Sequence, residues 1–140
     1  MQTPMQAPVQ TAMQVVRQAM HYFRQNSGHP IGFEEMARAL GTTEAALEGS
    51  FEGIRGMSTA EALLEHRLNR LFGTLSDEPR QGLQRAIHRC GLDQTSDVPD
   101  KFEQAFGIAM PLFLITCRRA DDDRRFRRLH PDSAALVLPG

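Results

Sequence analysis

The chain has 140 residues, of which 41% are hydrophobic and 24% are charged, as in ordinary globular domains. Sixteen Lys and Arg nearly balance 17 Asp and Glu, so attraction to nucleic acid or to a membrane must come from local patches. No apolar run approaches the roughly 18 residues that cross a bilayer, and the N-terminus lacks a signal-peptide pattern. The two cysteines, Cys90 and Cys117, are too few for a disulfide framework, which favours a reducing cytoplasm.

Apolar residues recur at helical spacing along most of the chain, which predicts an all-α fold. Residues 1–8 carry little to bury and are expected to form a disordered lead-in. A short apolar run at 134–138 has no strand with which to pair. The seven predicted helices span about residues 9–26, 33–40, 43–54, 58–75, 77–90, 96–105 and 109–119.

Start and stop signals support these boundaries. Gly41, Gly56 and Gly91 are placed to end helices, because glycine readily adopts the left-handed conformation of a C-terminal cap. Ser58 and Glu61 match a capping box that opens the long fourth helix.

Two prolines give further boundaries. Pro79 predicts the first turn of the fifth helix, where proline is favoured. Pro99 is tolerated only in a first turn, so the sixth helix should begin near Ser96 or Asp97.

Two stretches share a skeleton about 50 residues apart. Each has a glycine turn, then two large apolar residues one helical turn apart, then a second glycine five residues on. This is the pattern of a helix-turn-helix motif, and two copies are more specific than one. The matched pairs are Gly41 with Gly91, Leu47 with Val98, Phe51 with Phe102, and Gly56 with Gly107.

The repeat divides the chain into predicted parts. These are a helix-turn-helix subdomain at 9–57, a linker helix at 58–75, a second such subdomain at 76–119, and a charged, flexible tail at 120–140.

The segment IGFEEMARALGTTEAALEGSFEGIRGM resembles the first half of an AraC/XylS-type DNA-binding domain, and the following STAEALLEHRLNRLFGTL resembles its linker helix. The segment RAIHRCGLDQTSDVPDKFEQAFGIAMP resembles the second half, through Arg89-Cys90-Gly91, Phe102 and Phe106-Gly107. The resemblance covers roughly residues 12–119. It implies a bacterial transcription regulator with two helix-turn-helix subdomains, similar to stand-alone members that bind double-stranded DNA as monomers and have no small-molecule domain.

The resemblance also places candidate contacts with DNA. Base-facing candidates are Thr43, Ala45, Ala46, Glu48 and Gly49 in the first motif, and Gln94, Thr95, Ser96 and Asp100 in the second. Candidate phosphate contacts are the basic residues Arg55, Arg80, Arg85, Arg89, Arg118 and Arg119, of which Arg80, Arg85 and Arg89 are expected on the helix before the second recognition helix.

The charge of the recognition helices suggests an alternative. Segment 42–56 has three acidic residues and one basic residue, and segment 93–105 has four acidic residues and one basic residue. Such helices repel phosphate. A second hypothesis is therefore a degenerate domain that no longer reads DNA and binds a protein, such as another regulator or RNA polymerase. The strongly apolar run Met110–Ile115 either closes the second core or forms a partner or homodimer surface.

Other chemistry is not indicated. The five histidines have no metal-ligand spacing with one another or with the cysteines. No glycine-rich phosphate loop or nucleophile motif is present, so we expect no enzyme activity, no metal and no cofactor.

Overall fold

The computed structural model describes residues 10–131, and within that range the chain forms α-helices and no β-strand. The all-α prediction is therefore confirmed for this part. Predictions for residues 1–8, for Val9 and for 134–138 lie outside the described residues. The helices are α1 (Ala12–Gln25), α2 (Phe33–Ala39), α3 (Glu44–Arg55), α4 (Thr59–Asp77), α5 (Leu83–Arg89), α6 (Val98–Phe106) and α7 (Met110–Leu129).

The chain divides into two compact units, Met1–Arg67 and Leu68–Gly140. The boundary falls inside α4, so the residues of the predicted linker helix are shared between the two units. We describe each unit by itself.

The core of the first unit is built on α1 and α3. Phe23 of α1 and Phe51 of α3 are fully buried, and their rings stack with centroids 6.0 Å apart. Met36 of α2 and Leu47 of α3 belong to the same buried cluster. Burying one such side chain contributes about 1.5–3 kcal/mol, so this cluster is a major source of the unit's stability.

The second unit has a matching aromatic core. Phe72 of α4 and Phe102 of α6 stack with centroids 6.2 Å apart and planes 17° from parallel, close to the 16° of the first unit's pair. The ring centroid of Phe113 in α7 lies 4.3 Å from that of Phe72, and the ring of Phe106 also packs against Phe72, at 4.8 Å. The repeat therefore includes a second matched aromatic pair, Phe23 with Phe72, in addition to Phe51 with Phe102 of the sequence skeleton.

Backbone hydrogen bonds repeat as closely as the side chains. Gly41 and Gly91 have φ of 73° and 74°, the left-handed conformation in which glycine avoids steric strain. In each turn the N–H of the residue after the glycine donates a hydrogen bond to a carbonyl of the preceding helix. The Thr42 N–H donates to the Ala37 carbonyl at 2.9 Å. Leu92 likewise donates to the Ile87 carbonyl at 3.0 Å. Gly56 is the left-handed cap of α3, as predicted, and Gly107 has the same role at the end of α6.

The predicted capping box of α4 is also confirmed. The Ser58 hydroxyl accepts from the Glu61 N–H at 3.0 Å, and the Glu61 carboxylate accepts from the Ser58 N–H at 2.8 Å. Two donors that have no partner inside the helix are thereby satisfied.

The prediction that Pro79 begins a helix is wrong. The α4 hydrogen-bond pattern continues until the Glu78 N–H donates to the Thr74 carbonyl at 2.9 Å. Pro79 has no N–H to extend that pattern, so it ends α4. Residues 79–81 form a turn and α5 begins only at Leu83, with Gly82 as its N-cap.

The last two helices also differ from their predicted bounds. Pro99 lies in the first turn of α6 as predicted, but the helix begins at Val98, after Asp97 with φ of 54°. α7 continues ten residues beyond the predicted end at 119, so residues 120–129 of the predicted tail are helical. Asp121 accounts for part of this, because it pairs with Arg124 and Arg125 one turn further along.

Candidate nucleic-acid interface

Small residues form part of the exposed surface of α3, beside the exposed Glu44, Glu52 and Ile54. Thr43 is the N-cap, and its Oγ1 accepts a hydrogen bond from the Ala46 N–H at 3.1 Å. Ala45, Ala46 and Gly49 are exposed, as the prediction of a base-facing surface requires. None of these three side chains can donate or accept a hydrogen bond, so polar base readout would have to come from elsewhere.

Glycine is not required inside α3 by the packing of the chain. A Cβ added at Gly49 or at Gly53 would meet no atom within 4 Å. Glycine within a helix costs about 0.5–1 kcal/mol relative to alanine, and no close internal contact explains that cost here. The two glycines instead leave α3 open to close approach by another surface.

The Glu48 side chain of α3 is directed at the start of α4. Its Oε1 accepts a hydrogen bond from the Thr59 N–H at the start of α4, at 3.0 Å. That bond, with a further contribution from the Thr59 side chain, lowers the pKa of the Glu48 carboxyl from its ordinary value. Glu48 is therefore a connection between α3 and α4, and its predicted role as a base-facing residue conflicts with this contact.

The second set of base-facing candidates does not lie on one helix. Gln94, Thr95 and Ser96 belong to the loop between α5 and α6, because α6 begins at Val98. The Ser96 carbonyl accepts a hydrogen bond from the Lys101 ammonium at 2.8 Å. Asp100 is exposed in the first turn of α6, as expected for a surface position.

Three of the candidate phosphate-binding arginines form ion pairs inside the chain. Arg55 pairs with Glu65 and also approaches the Met20 sulfur. The other two lie in the second unit. Arg80, which is in the turn after α4 and not on α5, pairs with Asp121 and Asp122, and Arg89 pairs with Glu78 and donates to Gln81.

Asp121 is the centre of the acidic group that holds Arg80. The Arg80 hydrogen bond lowers the pKa of the Asp121 carboxyl, and Arg125 and Arg124 lower it further by their charges. Arg80 therefore helps to hold α7 in place through its ion pairs with that helix.

The remaining three arginine candidates have no ion pair within residues 10–131. Arg118 makes one hydrogen bond, to the Pro79 carbonyl at 3.0 Å. Arg85 on α5 and Arg119 on α7 are exposed and have no ion pair or hydrogen bond within residues 10–131. These two can turn toward an anion without breaking an internal contact.

A basic cleft in the first unit was missed by sequence reasoning. It has a volume of about 580 Å³ and lies between α1 and the end of α2. Arg17, His21 and Arg24 line it from one face of α1, and Ala39 and Leu40 line it from the other side. The signal was present in the sequence as basic residues spaced four and three apart, which places them on one helix face.

Among residues 10–131, no group of three or more His, Cys, Asp or Glu side chains could hold a metal ion. Over the same part of the chain, no helix has the length and apolar character to cross a membrane. No family model, no curated protein and no solved structure matches this chain.

Proposed function

We propose that this chain is a bacterial transcription regulator that binds double-stranded DNA through two helix-turn-helix motifs. The motifs are α2 with α3 and α5 with α6. The observation that carries the proposal is the duplication of one hydrogen-bonded turn, with Gly41 and Gly91 at the same left-handed conformation and a stacked phenylalanine pair beneath each second helix. The second helix of such a motif is the element that enters a major groove.

The small outer face of α3 supports its placement in the groove. Ala45, Ala46, Gly49 and Gly53 add little bulk to this side of α3, and the exposed Glu52 lies next to them. Alanine can contact a thymine methyl group, so this face reads shape and apolar contact in preference to hydrogen-bond patterns. Because Glu48 is bound to Thr59, its charge is partly satisfied before DNA approaches.

Phosphate contacts in the proposed complex come from the arginines that have no internal partner. Within residues 10–131, Arg85 is such a residue, and so is Arg119 in the monomer. The N-terminus of α3 adds backbone N–H groups, which favour an anion at that end of a helix. Neutralising phosphates supplies nearly all non-specific affinity, so these few groups would set the strength of binding.

The acidic surface of α6 favours a second candidate function. Asp100 and Glu103 are exposed on α6, and Asp93 is exposed in the preceding loop. Lys101, the one cation on α6, is bound to the Ser96 carbonyl. A basic protein surface fits this face better than a phosphate backbone does, which keeps the alternative of a regulator or RNA polymerase partner for the second unit.

The experiment is a DNA-binding titration of two matched variants. Gly49→Glu adds one negative charge and a long side chain to the outer face of α3, where the structure has open space. Gln25→Glu adds the same charge at the exposed end of α1. The proposal expects Gly49→Glu to abolish binding and Gln25→Glu to leave it within a few-fold of the parent.

Circular dichroism of both variants provides the folding control. If Gly49→Glu keeps its helix content and binds DNA as well as Gln25→Glu does, α3 does not enter the groove and the proposal fails.

A further inference from the structure

The outer side of α7 carries a regular stripe of exposed residues. Successive members are three, four, three, four and three positions apart, which is the a/d spacing of a coiled coil. The four apolar members are between 49% and 75% exposed. The stripe consists of Leu112, Ile115, Arg119, Asp122, Phe126 and Leu129.

The opposite side of α7 is already occupied by its own unit. Met110, Leu114 and Cys117 are buried, and Arg80 holds Asp121 and also pairs with Asp122 of the stripe. The helix is thus anchored on one side and presents the stripe on the other. Leaving four large apolar side chains exposed in one line is unfavourable unless another surface covers them.

The positions of the stripe are symmetric about a midpoint between Ala120 and Asp121. Leu112 and Leu129 are equally far from that midpoint, and so are Ile115 and Phe126. Arg119 and Asp122 form the innermost pair. We propose that α7 pairs with α7 of a second copy of this chain, in an antiparallel arrangement with a two-fold axis at this midpoint.

Charge complementarity selects the antiparallel orientation. In that pairing Arg119 of each copy faces Asp122 of the other, and apolar residues face apolar residues at both ends. Parallel pairing would place Arg119 against Arg119 and Asp122 against Asp122, which is unfavourable. Arg119 has no ion pair or hydrogen bond within the described part of its own chain, so it is free to make this contact. Asp122 is bound to Arg80 of its own chain through Oδ1, so Arg119 of the second copy would bind its other carboxylate oxygen, Oδ2.

The arginines beside the axis do not oppose the pairing strongly. Arg118 and Arg125 of opposite copies would come near each other at the edge of the stripe. Arg118 already donates to the Pro79 carbonyl, and Arg125 pairs with Asp121. These internal contacts turn both guanidinium groups toward their own unit.

The contact is short, because the rise of about 1.5 Å per residue makes the stripe about 26 Å long. Such a surface is below the size of stable obligate interfaces. We therefore expect a reversible dimer with a dissociation constant of about micromolar order.

Sedimentation equilibrium of full-length chains tests the proposal by charge reversal. Arg119→Asp alone and Asp122→Arg alone each place like charges at both central contacts, so each should weaken dimerisation roughly tenfold or more. An equal mixture of these two variants restores both opposite-charge contacts in the heterodimer, which should form more tightly than either variant homodimer. Arg128→Asp, an exposed charge reversal off the stripe, is the matched control and should dimerise like the parent.

A chain that stays monomeric up to about millimolar concentration, where any specific dimer of this kind would form, overturns the proposal. So does a mixture that associates no better than its components. Capture of an unrelated helix by this stripe with no self-association would likewise contradict the second copy as occupant.

Cysteine cross-linking fixes the orientation. Ile115→Cys and Phe126→Cys, mixed under mild oxidation, should give a mixed disulfide, since native Cys90 and Cys117 are buried. A disulfide between two Ile115→Cys chains would indicate parallel pairing and overturn the proposed axis, and so would the absence of any cross-link.

Discussion

The Glu48 carboxylate lies against the first turn of α4, where its Oε1 accepts the Thr59 N–H at 3.0 Å. Glu48 lies on the helix proposed to face DNA, yet its charge is directed at its neighbouring helix. A carboxylate at a helix N-terminus is favoured by the unpaired N–H groups and the helix dipole. The contact therefore fixes the position of α3 against α4 and reduces the repulsion that α3 would offer to phosphate.

The first prediction concerns Glu48→Gln. The pKa of Glu48 is lowered in the folded state from its ordinary value of 4.5, so its contribution to stability is complete above that pH. The contribution is lost as the pH falls through the lowered pKa of the folded state. We expect Glu48→Gln to lower the thermal midpoint at pH 7 and to have a flatter stability profile in acid than the parent.

Glu52→Gln is the control, because Glu52 is exposed one turn further along α3. Thermal melts from neutral pH to about pH 3 compare the variants, since linkage predicts differing slopes there. Equal midpoints for Glu48→Gln and Glu52→Gln at every pH would mean that the contact with Thr59 contributes nothing.

The second prediction concerns the two turn glycines. Gly41→Ala and Gly91→Ala force a Cβ into the left-handed conformation, so each should lower the free energy of unfolding by about 1–2 kcal/mol. Gly53→Ala lies in a helix with open space and should instead raise it by up to about 1 kcal/mol. Urea titration measures all three, and stabilisation by either turn substitution would refute the assigned backbone conformation.

The third prediction separates two arginines on α5. Arg85 is exposed and has no partner among the residues that the structure describes, whereas Arg89 pairs with Glu78 and donates a hydrogen bond to Gln81. Arg85→Ala should weaken DNA binding about equally for all sequences and reduce its salt slope by about 1. Arg89→Ala should have the smaller effect on that slope, although the sequence alone ranks the two residues equally.

Fluorescence anisotropy at several salt concentrations makes this comparison. A larger change in slope for Arg89→Ala would show that the Arg89 ion pair opens on binding and that the assignment of Arg85 is wrong.

Glycine turns and caps were predictable because they depend on local sterics. Gly41, Gly56 and Gly91 adopt the predicted left-handed conformation, and the box of Ser58 and Glu61 forms as predicted. Pro79 was misassigned because proline can either end one helix or begin the next, and the continued bonding of α4 decided between them.

Charge partners were not predictable, because they join residues far apart in sequence. Arg80 pairs with Asp121, which is 41 positions away, and Arg55 pairs with Glu65. Only the folded chain could separate such arginines from Arg85. The extent of α7 was missed for a related reason, since its charged second half is polar by composition but is held by Asp121.

Binding of the purified chain to pooled genomic DNA fragments at about 50 and 200 mM salt tests the central claim most directly. A DNA-binding function predicts binding at low salt, a steep loss of affinity at the higher salt and enrichment of one sequence among the bound fragments. No binding at either concentration would contradict a DNA-binding function and would favour the protein partner suggested by the acidic face of α6.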